Sequence, residues 1–185
     1  MRTSGILLPI SSLPSPGGIG TMGAAAREFV DFLHAAGQHY WQILPVCPTS
    51  YGDSPYQSFS TFAGNPYFID LDQLAEAGLL TPEEYRTIDW ESTPDCINYG
   101  VLYEKRYPVL RRACARLLAN PPEDYEQFLA DNAFWLPDYA LFMALKDAHG
   151  GKSWLEWERP LRLRKPAELD LSLIHISEPT RHAQI

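Results

Sequence analysis

Tyr40-Trp41-Gln42-Ile43-Leu44-Pro45-Val46 is an apolar run of strand length, and its relation to what precedes it decides the fold class. Upstream, Ser4-Gly5-Ile6-Leu7-Leu8 is a second short apolar run, closed by Pro9, and reads as a buried strand. Between the two, Ala24 to Ala36 is an amphipathic helix. Ala25, Phe29, Phe32, Leu33 and Ala36 fall on one face, and Gly37 supplies the C-terminal stop. Pro9 to Gly23, rich in proline and glycine, is a loop built of turns. Strand, helix, strand in this order is a βαβ unit, which implies a parallel sheet and an α/β class.

Downstream of that unit, Cys47 to Pro66 is longer than a connector requires, and a loop of such length in a compact domain is functional or disordered. It carries Tyr51, Tyr56, Phe59 and Phe62, with Tyr67 just after, and so many aromatics argue against disorder. Phe68 to Leu71 is another short apolar run. From Asp72 onward the pattern turns helical. Leu71, Leu74 and Ala75 with the Gly78 stop mark a short helix, and Thr81-Pro82-Glu83-Glu84 is a capping box with proline at the first helical position. Asn98 to Leu118 has helical composition, with Pro108 expected to kink or divide it. Glu123 to Asn132 and Pro137 to His149 are further helices. The second presents Leu141, Phe142 and Leu145 on its apolar face and stops at Gly150-Gly151.

Composition narrows the function. With 45% apolar and 21% charged residues the chain of 185 residues is an ordinary globular protein, which excludes wholesale disorder. The net charge of −8, without a run of like charges, leaves no electrostatic footprint for nucleic acid or an anionic membrane. No apolar run approaches the roughly 20 residues of a membrane-spanning helix. Cys47, Cys96 and Cys114 are an odd, widely spaced set, so neither a disulfide framework nor a zinc site is expected, and a reducing cytoplasm fits them. A P-loop, a dinucleotide glycine fingerprint and a two-histidine ligand spacing are all absent from the motifs, so neither metal nor organic cofactor is expected. Aromatics reach 12%, and the flat faces of Tyr and Trp suit the apolar faces of sugar rings as well as they suit a core.

The stretch richest in chemistry leaves the C-terminal end of the second strand, where βα folds build their ligand sites. Tyr51-Gly52-Asp53-Ser54-Pro55-Tyr56-Gln57 offers tyrosine faces for stacking, and Asp53, Ser54 and Gln57 as hydrogen-bonding groups. Gly52 and the prolines stiffen the loop and lower the entropy cost of presenting them. Two readings of these residues stay open: a site for a polyol, or an Asx-turn closed by Asp53 with both tyrosines packed on a rim.

The ordered set of motifs resembles the 4-α-glucanotransferases known as amylomaltases or disproportionating enzymes, a glycoside-hydrolase family related to the α-amylases. Ser4-Gly5-Ile6-Leu7-Leu8, Ser12-Leu13-Pro14, Gly18-Ile19-Gly20, Trp41-Gln42-Ile43-Leu44-Pro45 and the Tyr51–Gln57 segment carry the likeness. It continues through Phe62-Ala63-Gly64-Asn65-Pro66, Ile69-Asp70-Leu71, Tyr99-Gly100, Trp135-Leu136-Pro137-Asp138-Tyr139-Ala140 and Trp154-Leu155-Glu156-Trp157. Thr21-Met22 and Pro9-Ile10 depart from the family pattern in the first loop. The resemblance implies an α/β fold, the N-terminal part of a (β/α)8 (TIM) barrel interrupted by a mostly helical insertion, with the barrel incomplete. Residues 1–71 would be the first strands and helix with loop 47–67. Residues 72–150 would be the insertion and 151–170 a return toward the barrel.

It further implies transfer of α-1,4-glucan segments between maltooligosaccharides with retained configuration, with no cofactor. Retention needs two carboxyl groups about 5–5.5 Å apart. The family's nucleophile, acid/base and third carboxylate lie beyond the residues present, so this chain carries no catalytic residue and is expected to be inactive alone. By resemblance Tyr56 stacks on a sugar ring beside the scissile bond and Ser54 hydrogen-bonds near it. Tyr51 serves an outer glucan surface, and Asp53 fixes the loop or contacts sugar. Trp135 and Trp154 are expected in the core. A non-catalytic glucan-binding module and a non-functional truncated gene product are the alternatives. Leu171 to Arg181 resembles the conceptual translation of a sequencing adapter, so residues 171–185 are set aside as a non-native tail, although Leu-Ser-Leu-Ile-His-Ile also alternates as a strand would.

Overall fold

Strand β1 (Gly5–Leu7) pairs in parallel with β2 (Tyr40–Gln42), Ile6 standing opposite Trp41. The ladder is extended by the His39 N–H to Ser4 O and the Leu8 N–H to Gln42 O, both 3.0 Å. Helix α1 (Ala24–Ala35) makes the crossover, so the βαβ reading holds. This computed structural model describes residues 2–50, 52–166 and 169. The chain divides into two compact units, Met1–Ala113 and Cys114–Ile185.

Two expectations about the βαβ unit are corrected. The second strand ends at Gln42 rather than Val46, where Pro45 has no N–H to continue a ladder. Nor are the strands buried: Leu7 is 55% exposed and Tyr40 63%, and on α1 the predicted core residue Phe32 is 56% exposed while Leu33 is buried. The sheet of the described residues has two strands, so an apolar pattern meant for two covered faces is only partly covered. Phe29 meets Trp41 edge-on at 5.0 Å, and the Trp41 indole N–H donates to Leu8 O at 2.8 Å. Gly37 stops α1 as predicted. At φ 68° it closes a Schellman turn, with its own N–H bonded to His34 O and the Gln38 N–H to Leu33 O.

The core of the first unit lies away from the sheet. Ile19, Tyr67, Leu71, Leu80, Tyr85 and Trp90 form one buried cluster with Leu102, Val109, Leu110 and Ala113. Helix α2 (Leu71–Glu76) begins at Asp70, whose carboxylate caps it by accepting the Gln73 N–H at 3.0 Å. The Thr81–Glu84 capping box forms but starts only a single 3₁₀ turn, Pro82–Glu84. Helix α3 (Tyr99–Val101), a π-turn (Leu102–Arg106) and α4 (Tyr107–Ala119) follow one another without a gap. Pro108 therefore does not divide the run. The wider π-turn immediately before it absorbs the missing backbone donor.

In the second unit, α5 (Tyr125–Asp131), α6 (Leu136–Ala148) and α7 (Arg159–Arg162) are short to medium helices. The buried positions of α6 are Leu136, Ala140, Ala144 and Leu145. Leu141 and Phe142, expected on the apolar face, are half-buried. Trp157 is buried against Phe142, ring centroids 5.5 Å apart. Trp154, expected in the core, is 50% exposed, and Trp135 is half-buried with its indole N–H on Asn132 Oδ1 at 2.8 Å. The adapter-like residues 171–185 lie outside the described residues. Among the described residues no helix is long and apolar enough to cross a membrane, and no three His, Cys, Asp or Glu side chains gather as a metal site would need.

Candidate functional site

The loop that leaves β2 is closed on itself by its own backbone. The Asn65 N–H reaches back to Val46 O at 2.8 Å, so the segment begins and ends at one place. Inside it, the Ser50 N–H bonds Gln57 O at 3.0 Å, the Asp53 N–H bonds Ser50 O at 3.0 Å, and the Gln57 N–H bonds Ser54 O at 3.1 Å. Two successive residues, Gly52 at φ 89° and Asp53 at φ 54°, take left-handed backbone, which glycine and aspartate tolerate better than most residues. Serines finish the work. The Ser54 hydroxyl accepts the Tyr56 N–H at 3.3 Å, and the Ser60 hydroxyl accepts those of Phe62 and Ala63 at 3.1 Å each. A loop with this many internal bonds is ordered without a large core of its own.

Its outward face is aromatic. Tyr56 is 73% exposed, with its ring in solvent, and Phe62 is exposed as well, whereas Tyr67 is buried among Tyr99 and Tyr107 at 6.1 and 5.7 Å. Beside the loop lies a cleft of about 160 Å³. Pro9, Ile10 and Ser11 line it from the loop after β1, and Leu44 and Pro45 from the end of β2. Asp53, Asn65, Phe68 and Tyr99 also line it. Thus the cleft sits at the C-terminal ends of both parallel strands, the place topology favours for a ligand.

Asp53 is the charged group in that wall. Partial burial pushes its carboxyl above the usual carboxylate range. The Tyr67 hydroxyl is pushed up to about 12, first by its own burial and then by the Asp53 charge, and Tyr99 is raised for the same two reasons. The turn on Ser50 is closed by the backbone N–H of Asp53. A half-buried, acceptor-only carboxylate on a cleft wall suits a ligand rich in hydroxyl donors.

Of the four sequence-derived site residues, Asp53 lines the cleft, Ser54 is half-buried next to it with its hydroxyl on the Tyr56 backbone, and Tyr56 projects into solvent. Tyr51 lies outside the described residues. Two contributors had not been singled out for the site: Asn65, whose side chain accepts the Tyr67 N–H at 3.0 Å, and Tyr99. Asn65-Pro66 carries a local signal, an N-cap followed by proline at the first helical position. Tyr99, quoted among the family motifs but given no role there, is brought in from helix α3 far along the chain.

A parallel βαβ unit whose strand ends open into a mainly apolar cleft with a few polar groups, Asp53 and Asn65 among them, belongs to the class of α/β ligand-handling proteins. Comparison makes the assignment specific. The sequence profile described as 4-alpha-glucanotransferase, glycoside hydrolase family 77, matches residues 8–178, and the chain belongs to that family. It is 50% identical over 161 residues to the 4-alpha-glucanotransferase of Clostridium butyricum, covering 87% of this chain and 33% of that protein. Its identity to the Thermus thermophilus 4-alpha-glucanotransferase is 49% over 172 residues, again covering 33% of that protein. Among solved structures, amylomaltase from Streptococcus agalactiae in complex with acarbose superposes with a TM-score of 0.90 at 40% identity, over 100% of this chain and 38% of that one. The chain therefore spans about a third of the length of the curated relatives it matches.

Proposed function

We propose that this chain is the N-terminal part of a 4-α-glucanotransferase and forms one wall of its glucan cleft. The observation that carries the reading is the solvent-facing ring of Tyr56 on a self-closed loop at the C-terminal ends of two parallel strands. An exposed tyrosine on a stiff loop offers a flat apolar face to a sugar ring at low entropic cost. Ser54, whose oxygen already accepts the Tyr56 N–H, keeps its hydroxyl proton to donate outward, and Asp53 supplies an acceptor for sugar hydroxyls. Tyr51, two residues before Asp53 on the same loop, would extend the surface toward outer glucose units.

Residues 1–71 fit the opening of a (β/α)8 barrel, 72–150 a helical insertion and 151–170 a return. Support comes from the exposed apolar residues Leu7, Tyr40 and Ile43, because parallel strands in such a barrel are covered on both faces by further strands and helices. Retaining transfer proceeds through a covalent glycosyl intermediate held between two carboxyl groups. Those groups belong to the two thirds of the relatives' length that this chain does not span, so this segment grips sugar and leaves bond cleavage to the remainder. α-1,4-Glucans are its ligands and the cytoplasm its setting.

The test is product analysis on maltotriose. The full-length polypeptide should yield glucose together with longer maltooligosaccharides, and the 185-residue chain alone should yield neither. Release of glucose without chain lengthening by the full-length polypeptide, or turnover by the isolated chain, would overturn the reading.

A further inference from the structure

The side chain of Arg106 is fully buried, at 0% exposure, in the π-turn between α3 and α4. Its guanidinium reaches two segments remote from it in sequence: Nη1 donates to Gly17 O at 2.9 Å and Nη2 to Ile69 O at 2.6 Å. The Trp90 ring lies 5.8 Å from its central carbon, and Nε has no hydrogen-bond partner. A buried cation with an orphan N–H is a poor device for stability alone, since an apolar side chain of the same volume avoids both the desolvation and the unpaired donor.

What it joins suggests its use. Gly17 belongs to the loop after β1. Beyond it, the Gly20 N–H holds Ser11 O at 3.1 Å, and Ser11 with Ile10 and Pro9 lines the cleft. Ile69 follows the end of the tyrosine loop, where Asn65 and Phe68 also line the cleft. Between these segments run further bonds: Met22 N–H to Phe68 O at 3.0 Å, Thr21 hydroxyl to Asp70 Oδ2 at 2.5 Å, and Gln73 Nε2 to Met22 O at 3.2 Å. These other links hold residues 21 and 22 against 68–73. Arg106 also ties Gly17 and Ile69 to the helical core, beside the buried Ile19 and the Ser92 hydroxyl on Gly18 O.

We propose that Arg106 is a positioning residue that sets the separation of the two walls of the cleft, and with it the fit of a glucan. This rests on the glucan reading above. A forked, planar donor grips two carbonyls at fixed spacing, which an ammonium on a flexible stem does less well.

The experiment uses the full-length polypeptide at a temperature where circular dichroism shows each variant folded. Arg106→Met removes the fork at similar volume. Gly17→Ala is a second variant, because its Cβ would stand 3.1 Å from Nη1 and push on the same contact. A misplacement of about 1 Å costs up to ~100-fold in rate, so kcat/KM for maltotriose should fall between ~10- and ~100-fold, and Arg106→Lys should recover part of it. Amide exchange at Gly20, Met22 and Asn65 should accelerate at least ~10-fold in Arg106→Met, with α6 amides unchanged, as expected of a local opening. A variant that melts earlier with kcat/KM and exchange at those three amides unaltered would reduce Arg106 to a stabilising residue and overturn the proposal. Should the unsubstituted protein not act on maltotriose, the glucan reading fails and the exchange measurement alone decides whether Arg106 positions the walls.

Discussion

Gly20→Ala is the sharpest probe of how the cleft is built. Gly20 sits where the loop after β1 crosses itself, and an added Cβ would overlap the Ile10 carbonyl oxygen while standing 2.7 Å from Leu13 N and 2.8 Å from Leu13 O. All three are backbone atoms, so no side chain can swing aside. Small-to-large changes in packed surroundings cost about 1–3 kcal/mol through strain. Two backbone bonds are endangered as the loop spreads, Gly20 N–H to Ser11 O and Leu13 N–H to Ile10 O, both 3.1 Å. Each contributes about 1 kcal/mol. The sum is about 3–5 kcal/mol, a large part of the 5–15 kcal/mol typical of folded proteins. At about 2–4 °C per kcal/mol for a chain of this size, the melting temperature should fall by roughly 10 °C. Gly64→Ala is the matched control: its Cβ would meet nothing within 4 Å, so the change should stay within about 0.5 kcal/mol. Thermal melts of the two variants by circular dichroism decide the matter. If Gly20→Ala melts within a degree or two of Gly64→Ala, the loop is not packed as described and the geometry of the cleft wall falls with it.

Other outcomes follow from single contacts. Tyr56→Ala, at a side chain 73% exposed, should leave stability within about 0.5 kcal/mol while weakening maltooligosaccharide affinity by about tenfold, read by titration calorimetry. Asp70→Ala removes both the α2 cap and the partner of the Thr21 hydroxyl, and should destabilise by about 2–3 kcal/mol in urea denaturation. His149 has both ring nitrogens on acceptors, Leu145 O at 2.7 Å and Glu158 Oε2 at 2.9 Å, and its ring stacks on Trp157, so the doubly protonated form satisfies the site. The Glu158 hydrogen bond is the main cause raising its pKa, opposed by the nearby Lys152 charge and partial burial, while the same pair lowers Glu158. Raised His149 contributes stability fully present below the ordinary 6.5 and lost as pH climbs through the native value; lowered Glu158 contributes above the ordinary 4.5. The stability lost in Glu158→Gln should accordingly be greatest near pH 5.5 and shrink by pH 8, and a pH-independent difference would show that the pair is not ionic.

The order strand, helix, strand was legible because its signals are local. Helix stops such as Gly37 and Gly150 and the short apolar runs each involve residues a few positions apart, and the hydrogen bonds that close a helix end reach no further. The motifs from Ser4 to Trp157 marked the family for the same reason: a short motif is complete in itself. Burial is another kind of quantity. Tyr56 and Tyr67 look alike in the sequence, yet one faces solvent and the other the core, because Tyr99 and Tyr107 arrive from helices more than thirty residues away. Arg106 carries no motif, and its meaning depends on carbonyls 89 and 37 positions distant. The chain alone determined the order of strand, helix and strand and the helix stops at Gly37 and Gly150. Which faces they cover, which aromatic is left to meet a ligand and which cation spans two walls were settled by contacts between distant segments, which no short-range pattern encodes.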